Sequence, residues 1–167
     1  MNQTSHGTRQ SRSYAGSNSR PTAQAIVRGS AQYPNLSGVV SFSEQCGGTL
    51  VTARVSGLPD GSGCASRVFG FHIHEGQECT GNAQDPFANA GGHYNPENCP
   101  HPQHAGDMPP LFGNNGCAWM SFFTNRFTVR EVLGHAVIVH ANPDDFTTQP
   151  AGNSGARIAC GLIRPLC

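Results

Sequence analysis

The sequence predicts an all-β fold, a seven- or eight-strand sandwich or flattened barrel carrying two long loops. Three observations carry this expectation. The 21 Gly and 12 Pro are scattered rather than periodic, which argues for frequent turns. Charged residues make up only 12% of the chain, against long solvated helices. Short stretches alternate apolar and polar side chains with period two, as half-buried strands do. At 167 residues the chain suits a single domain with its own apolar core.

Residues 22–29, 38–43 and 49–56 read as the first three strands; in the third, Val51, Ala53 and Val55 alternate with Leu50, Thr52 and Arg54. The separating turns are Glu44-Gln45-Cys46-Gly47-Gly48 and Leu58-Pro59-Asp60-Gly61-Ser62-Gly63, where Asp and Gly supply the backbone freedom a reversal needs. Residues 68–75 form an expected fourth strand, with Phe69, Phe71 and Ile73 on one face and Gly70, His72 and His74 on the other. Residues 76–112 lack periodicity and exceed an ordinary connection, which marks a functional or disordered loop. Strands are expected again at 118–123, 136–140 and 159–163, with a second polar loop at 142–156.

Residues 1–21 are rich in Ser, Asn, Gln and Arg and are expected to form a disordered polar tail, leaving 22–167 as the folded domain. His6 then belongs to a solvated tail. That stretch lacks the apolar centre of a secretory signal, and no apolar run is long enough to cross a bilayer. The expectation is a cytoplasmic protein, or one exported by a non-classical route or associated with a surface. Formal net charge is zero and nothing suggests a broad basic surface, so neither nucleic acid nor membrane is an expected partner. All ten cations are Arg.

Seven of the eight histidines fall between positions 72 and 140. His72-Ile73-His74 on a strand places two imidazoles on one face, a spacing suited to two ligands of one metal, although two exposed polar residues would look the same. His93, His101, His104 and Asp107 offer three imidazoles and a carboxylate within fifteen residues, the donor set that tetrahedral zinc takes. His140 ends an apolar strand and is the natural companion of the His72 and His74 pair. His135, five residues earlier on the opposite face, is left out of the site.

The stretches Gly70-Phe71-His72-Ile73-His74-Glu75, Gly92-His93-Tyr94-Asn95-Pro96, His104-Ala105-Gly106-Asp107, Val139-His140 and Gly152-Asn153-Ser154-Gly155-Ala156-Arg157-Ile158-Ala159-Cys160-Gly161 resemble, in order, the successive signatures of copper/zinc superoxide dismutases. The resemblance covers about residues 22–163 and implies a Greek-key, immunoglobulin-like β-sandwich or flattened eight-stranded barrel. It implies His72, His74, His93 and His140 as copper ligands and His93, His101, His104 and Asp107 as zinc ligands, with His93 shared. Asp144 matches the outer carboxylate that links a copper-ligand imidazole to a zinc-ligand imidazole. Both loops are shorter than is usual in the family: only Pro102 and Gln103 separate His101 from His104, and Cys99 stands nearby as an alternative thiol.

The resemblance also implies a disulfide between Cys79 and Cys160, which in the chain-entropy model would stabilise the fold by on the order of 4 kcal/mol. Cys46, Cys64, Cys99, Cys117 and Cys167 have no assigned partner. Arg157 corresponds to the arginine at the mouth of the copper channel, a fixed cation that attracts the superoxide anion. Because 142–156 contains no cation and two Asp, weak long-range steering is expected, with Arg157 supplying most of the positive potential. The reaction implied is dismutation of superoxide to dioxygen and hydrogen peroxide, with Arg157 and His93 as catalytic residues. The alternative is a dismutase-like protein that binds or delivers copper without turnover. A homodimer is left open.

Overall fold

The computed structural model describes residues 20–61 and 63–167. The polar-tail expectation therefore lies, apart from Arg20 and Pro21, outside the described residues. The architecture is nearly all β, a curled seven-stranded antiparallel sheet forming a half-barrel, with a separate two-stranded ribbon.

Strands β1 (Ala23–Gly29), β2 (Ser37–Gln45) and β3 (Gly48–Ser56) form a meander in which alternation decides the facing. Val40 lies opposite Ala25 on one side and Ala53 on the other, and Phe42 lies opposite Ala23 and Val51. All six are buried, so a period-two pattern on three neighbouring strands builds one apolar layer. β7 (Cys117–Thr124) continues the sheet beyond β3, placing Ala118 and Phe122 opposite Val55 and Val51 while Trp119 and Phe123 face outward.

The fourth expected strand is corrected by the structure. It is interrupted at Gly70 into β4 (Val68–Phe69), which pairs with β6 (Leu111–Phe112), and β5 (Phe71–His74), which pairs with β8 (Ala136–His140). Glu75 lies beyond its end. The reason is local: Gly70 N–H donates to Asn142 O at 2.7 Å and Gly70 O accepts from His140 N–H at 2.8 Å. A Cβ at Gly70 would meet the Ser154 side chain at 2.8 Å, so the second loop packs where a side chain would otherwise stand. The chain thereby changes partner strands within one extended segment.

β9 (Arg157–Pro165) joins β8 to β1, giving the order β5-β8-β9-β1-β2-β3-β7. Passage from β3 near one edge to β5 at the other is the long Greek-key step. A register irregularity at Val139/His140 sets His140 opposite Arg157. One short helix was not expected: α1 (Val129–Val132) opens on a capping box in which Thr128 N–H donates to Glu131 Oε2 at 2.7 Å and the Thr128 hydroxyl accepts from Glu131 N–H.

Candidate metal centre

Residues 76–112, expected as a long loop, are ordered against β5. Tyr94 N–H donates to Ile73 O at 2.8 Å, Ile73 N–H to Gly106 O at 2.9 Å, and isolated bridges pair His74 with His93 and His72 with Asp107. The loop covers the histidine face of β5, so all four residues of that strand are buried: Phe71 and Ile73 within the apolar core, His72 and His74 beneath the loop.

His72, His74, His93 and His140 form one group whose nitrogens, one from each ring, all lie within 4.8 Å of one another. Carbonyl oxygens can only accept, so His74 Nδ1–H donates to Gly91 O at 2.9 Å and His140 Nδ1–H to Gly155 O at 3.2 Å. In the neutral rings both Nε2 atoms are then bare, and they face each other at 3.2 Å. Two lone pairs at that distance repel unless a cation lies between them. A proton is disfavoured there, because burial, reinforced by neighbouring imidazoles, lowers His140 to about 3 and His74 well below the usual range. A metal ion fits the donors that a proton does not.

His93, His101, His104 and Asp107 form a second group of the same compactness, and His93 belongs to both. His93 Nδ1 lies 2.7 Å from Asp107 Oδ1, while His101 Nδ1 and His104 Nδ1 lie 3.1 and 3.3 Å from Oδ2. Burial would raise the Asp107 pKa, but the His93 hydrogen bond and the surrounding imidazoles outweigh it and hold it below the ordinary value. Asp144 joins the groups from behind. Its Oδ2 is 2.7 Å from His72 Nε2 and its Oδ1 is 2.9 Å from His101 Nε2. These bonds assign the Nε2 protons, leaving both Nδ1 atoms bare toward the groups. His72 Nδ1, His93 Nε2 and His101 Nδ1 are buried without a hydrogen-bond partner, an arrangement proteins avoid unless something else binds there.

A family model for copper/zinc superoxide dismutase matches residues 36–163. The chain belongs to this family. Among curated relatives, the Cu-Zn superoxide dismutase of Deinococcus radiodurans is 36% identical over 165 residues, covering 88% of this chain and 86% of that protein. The second Cu-Zn superoxide dismutase of Aquifex aeolicus is 37% identical over 142 residues, covering 76% and 78%. The extracellular Cu-Zn superoxide dismutase of Onchocerca volvulus is 32% identical over 164 residues, covering 84% and 74%. Copper and zinc are the cofactors of the superoxide dismutase family, and the two groups are compatible with holding them.

Cys79 and Cys160 are bonded, with Cα atoms 5.6 Å apart, while the other five cysteines are free. Cys99 belongs to neither metal group; its backbone is held by the Asn95 side chain at 2.9 and 2.8 Å. His135 stays outside, its Nδ1–H donating to Glu75 O. Arg157 begins β9 and lines a cleft of about 970 Å³ together with His74, His93 and His140. Its guanidinium is held in place, and Nη1 pairs with Asp85 Oδ2 at 2.7 Å, a partner the sequence does not signal.

Two contacts were missed because they join distant segments. Gln149 from the second loop clamps the His101 backbone, accepting from its N–H at 3.0 Å and donating to its carbonyl at 2.7 Å. Arg126 donates to the carbonyls of Pro102 and His104, so the short interval between those histidines is tied down from outside. A Gln and an Arg in polar stretches carry no signal of such a role.

Proposed function

We infer that this protein is a superoxide dismutase in which His72, His74, His93 and His140 hold copper, and His93, His101, His104 and Asp107 hold zinc. The observation that carries the reading is His93: it belongs to both groups, and its buried Nε2 has no other partner. Four imidazoles suit copper, and three imidazoles with a carboxylate suit zinc. Bound copper supplies one-electron chemistry that oxidises one superoxide to dioxygen and reduces a second, with two protons, to hydrogen peroxide, while d¹⁰ zinc supplies a fixed charge.

The chain's own residues do the rest. Asp144 fixes the ring orientations and tautomers of His72 and His101, so their Nδ1 atoms point inward with no rearrangement. Gly91 O orients both His74 and Arg157, tying the anion-facing cation to a ligand side chain. Arg157 Nη1 also donates to Phe87 O at 3.1 Å, which holds the guanidinium at the cleft wall to attract and orient an anion. His93 Nδ1 is taken up by Asp107, so the buried Nε2 is the atom that would be left for copper and at which a proton would be held for peroxide formation.

Residues 22–167 act as one domain in this reading. A disulfide survives best outside a reducing cytoplasm, so Cys79–Cys160 favours an exported or surface-associated protein over a cytoplasmic one. No described helix is long and apolar enough to cross a membrane. The test is superoxide decay after pulse radiolysis with the copper- and zinc-loaded protein. Catalytic decay at substoichiometric protein is expected; stoichiometric consumption only would refute turnover.

A further inference from the structure

We propose that Asp85 is a positioning residue for Arg157 that also restrains anion entry into the copper cleft, an inference that rests on the dismutase reading above. Asp85 and Arg157 both line the cleft beside His74, His93 and His140. The guanidinium makes three contacts, all to one segment of the first loop: Asp85 Oδ2 at 2.7 Å, Phe87 O at 3.1 Å and Gly91 O at 2.7 Å. Two carbonyls alone would orient the planar fork. The carboxylate adds something they do not, a full negative charge against the cation.

Asp85 is itself built into place and is not a chance surface partner. Its Oδ1 accepts from Phe87 N–H at 3.0 Å, its carbonyl accepts from Asn82 N–H at 2.9 Å, and its own N–H donates to Asn82 Oδ1 at 2.9 Å. The side chains of Arg157 and Asp85 remain 20% and 36% exposed, so both face arriving solutes. The second loop brings no compensating cation: 142–156 contributes Asp144 and Asp145 and no Arg. At distance the pair presents a dipole instead of a positive charge, and at contact an anion must compete with a carboxylate for the same N–H groups. The chain thus gains a firmly oriented arginine and loses anion affinity.

The test uses azide as the probe anion, titrated into the copper- and zinc-loaded protein and read by the azide-to-copper(II) charge-transfer band, which needs no turnover. Asp85→Asn keeps the side-chain shape, removes the charge and leaves one oxygen for the two donors that the carboxylate accepts, Phe87 N–H and Arg157 Nη1. At low ionic strength it is expected to lower the azide Kd by roughly threefold to tenfold, an advantage that shrinks as salt screens the site. Asp85→Ser is expected to shift it the same way, and the effect of Asp85→Asn is expected to vanish in an Arg157→Gln background. An azide Kd that is unchanged or raised in both Asp85 variants would overturn the proposal. So would a gain that persists in the Arg157→Gln background. If the azide shift appears while the wild type fails to turn over superoxide, the restraint stands and the dismutase reading falls.

Discussion

His72 and His101 are held by opposite oxygens of one carboxylate, Asp144, at 2.7 and 2.9 Å, so a single side chain from the second loop sets the orientation of one imidazole in each histidine group. Burial would raise this carboxyl, but the hydrogen bonds from His72, Phe146 N–H and His101 outweigh it and hold it well below the usual carboxylate range. Asp144→Asn would turn an NH₂ group toward one ring N–H and orphan it. The expected outcome is a 10–100-fold loss of affinity for the metal on that ring, read by chelator competition. Unchanged retention of both metals would show that the ring orientations do not depend on Asp144.

Gly152 protects this arrangement. Its φ is +64°, where side chains are strained, and a Cβ there would collide with Asp144 Oδ1 and lie 2.7 Å from His101 Nε2. Gly152→Ala is therefore expected to lower the melting temperature of the metal-free protein and weaken zinc retention together. A variant with wild-type melting and zinc affinity would contradict this packing.

The Cys79–Cys160 bond closes a span of 81 residues. The chain-entropy model assigns such a bond about 4.5 kcal/mol. The same segment carries Asp85, Phe87 and Gly91, the partners of Arg157, and packs Phe87 and Ala90 with Cys160 in a small second apolar cluster. The Cys79→Ser, Cys160→Ser double variant should unfold at markedly lower urea concentration. An unchanged midpoint would mean the loop is held without the bond.

Stability of the metal-free protein should depend on pH through its buried histidines. Burial lowers His140 to about 3 and pushes His72, His74 and His104 below their ordinary value. Unfolded imidazoles titrate near 6.5, so below about that pH the unfolded chain binds protons that the folded chain refuses. Stability then falls as pH drops from about 6.5 toward 3, with His140 alone worth up to ~1.4 kcal/mol per pH unit. Thermal melting of the metal-free protein across that range is expected to show a falling midpoint; a flat profile would contradict neutral burial of these rings.

Much of this was legible in the sequence. The alternation at Val51, Ala53 and Val55 predicts the facing of β3, and the family resemblance, more than the histidine spacings alone, names the two sets of side chains that the fold brings together. The break at Gly70 was not legible, since the alternation of Phe69, Phe71 and Ile73 runs through it and only contacts with Asn142 and Ser154 impose it. Helix α1 had a readable sign in Thr128 and Glu131, but four residues give no helical period. The Asp85 partner of Arg157 lies 72 residues away in a segment without a motif, so only the folded chain brings the two together.

The most direct test compares superoxide dismutation by the copper- and zinc-loaded wild type and His140→Ala, with metal content determined on both. The wild type is expected to dismutate superoxide rapidly, and the variant to lose copper and activity while keeping zinc. A wild type fully loaded with copper yet inactive, or a variant that keeps both copper and activity, would contradict the central claim that these four histidines form a working copper site.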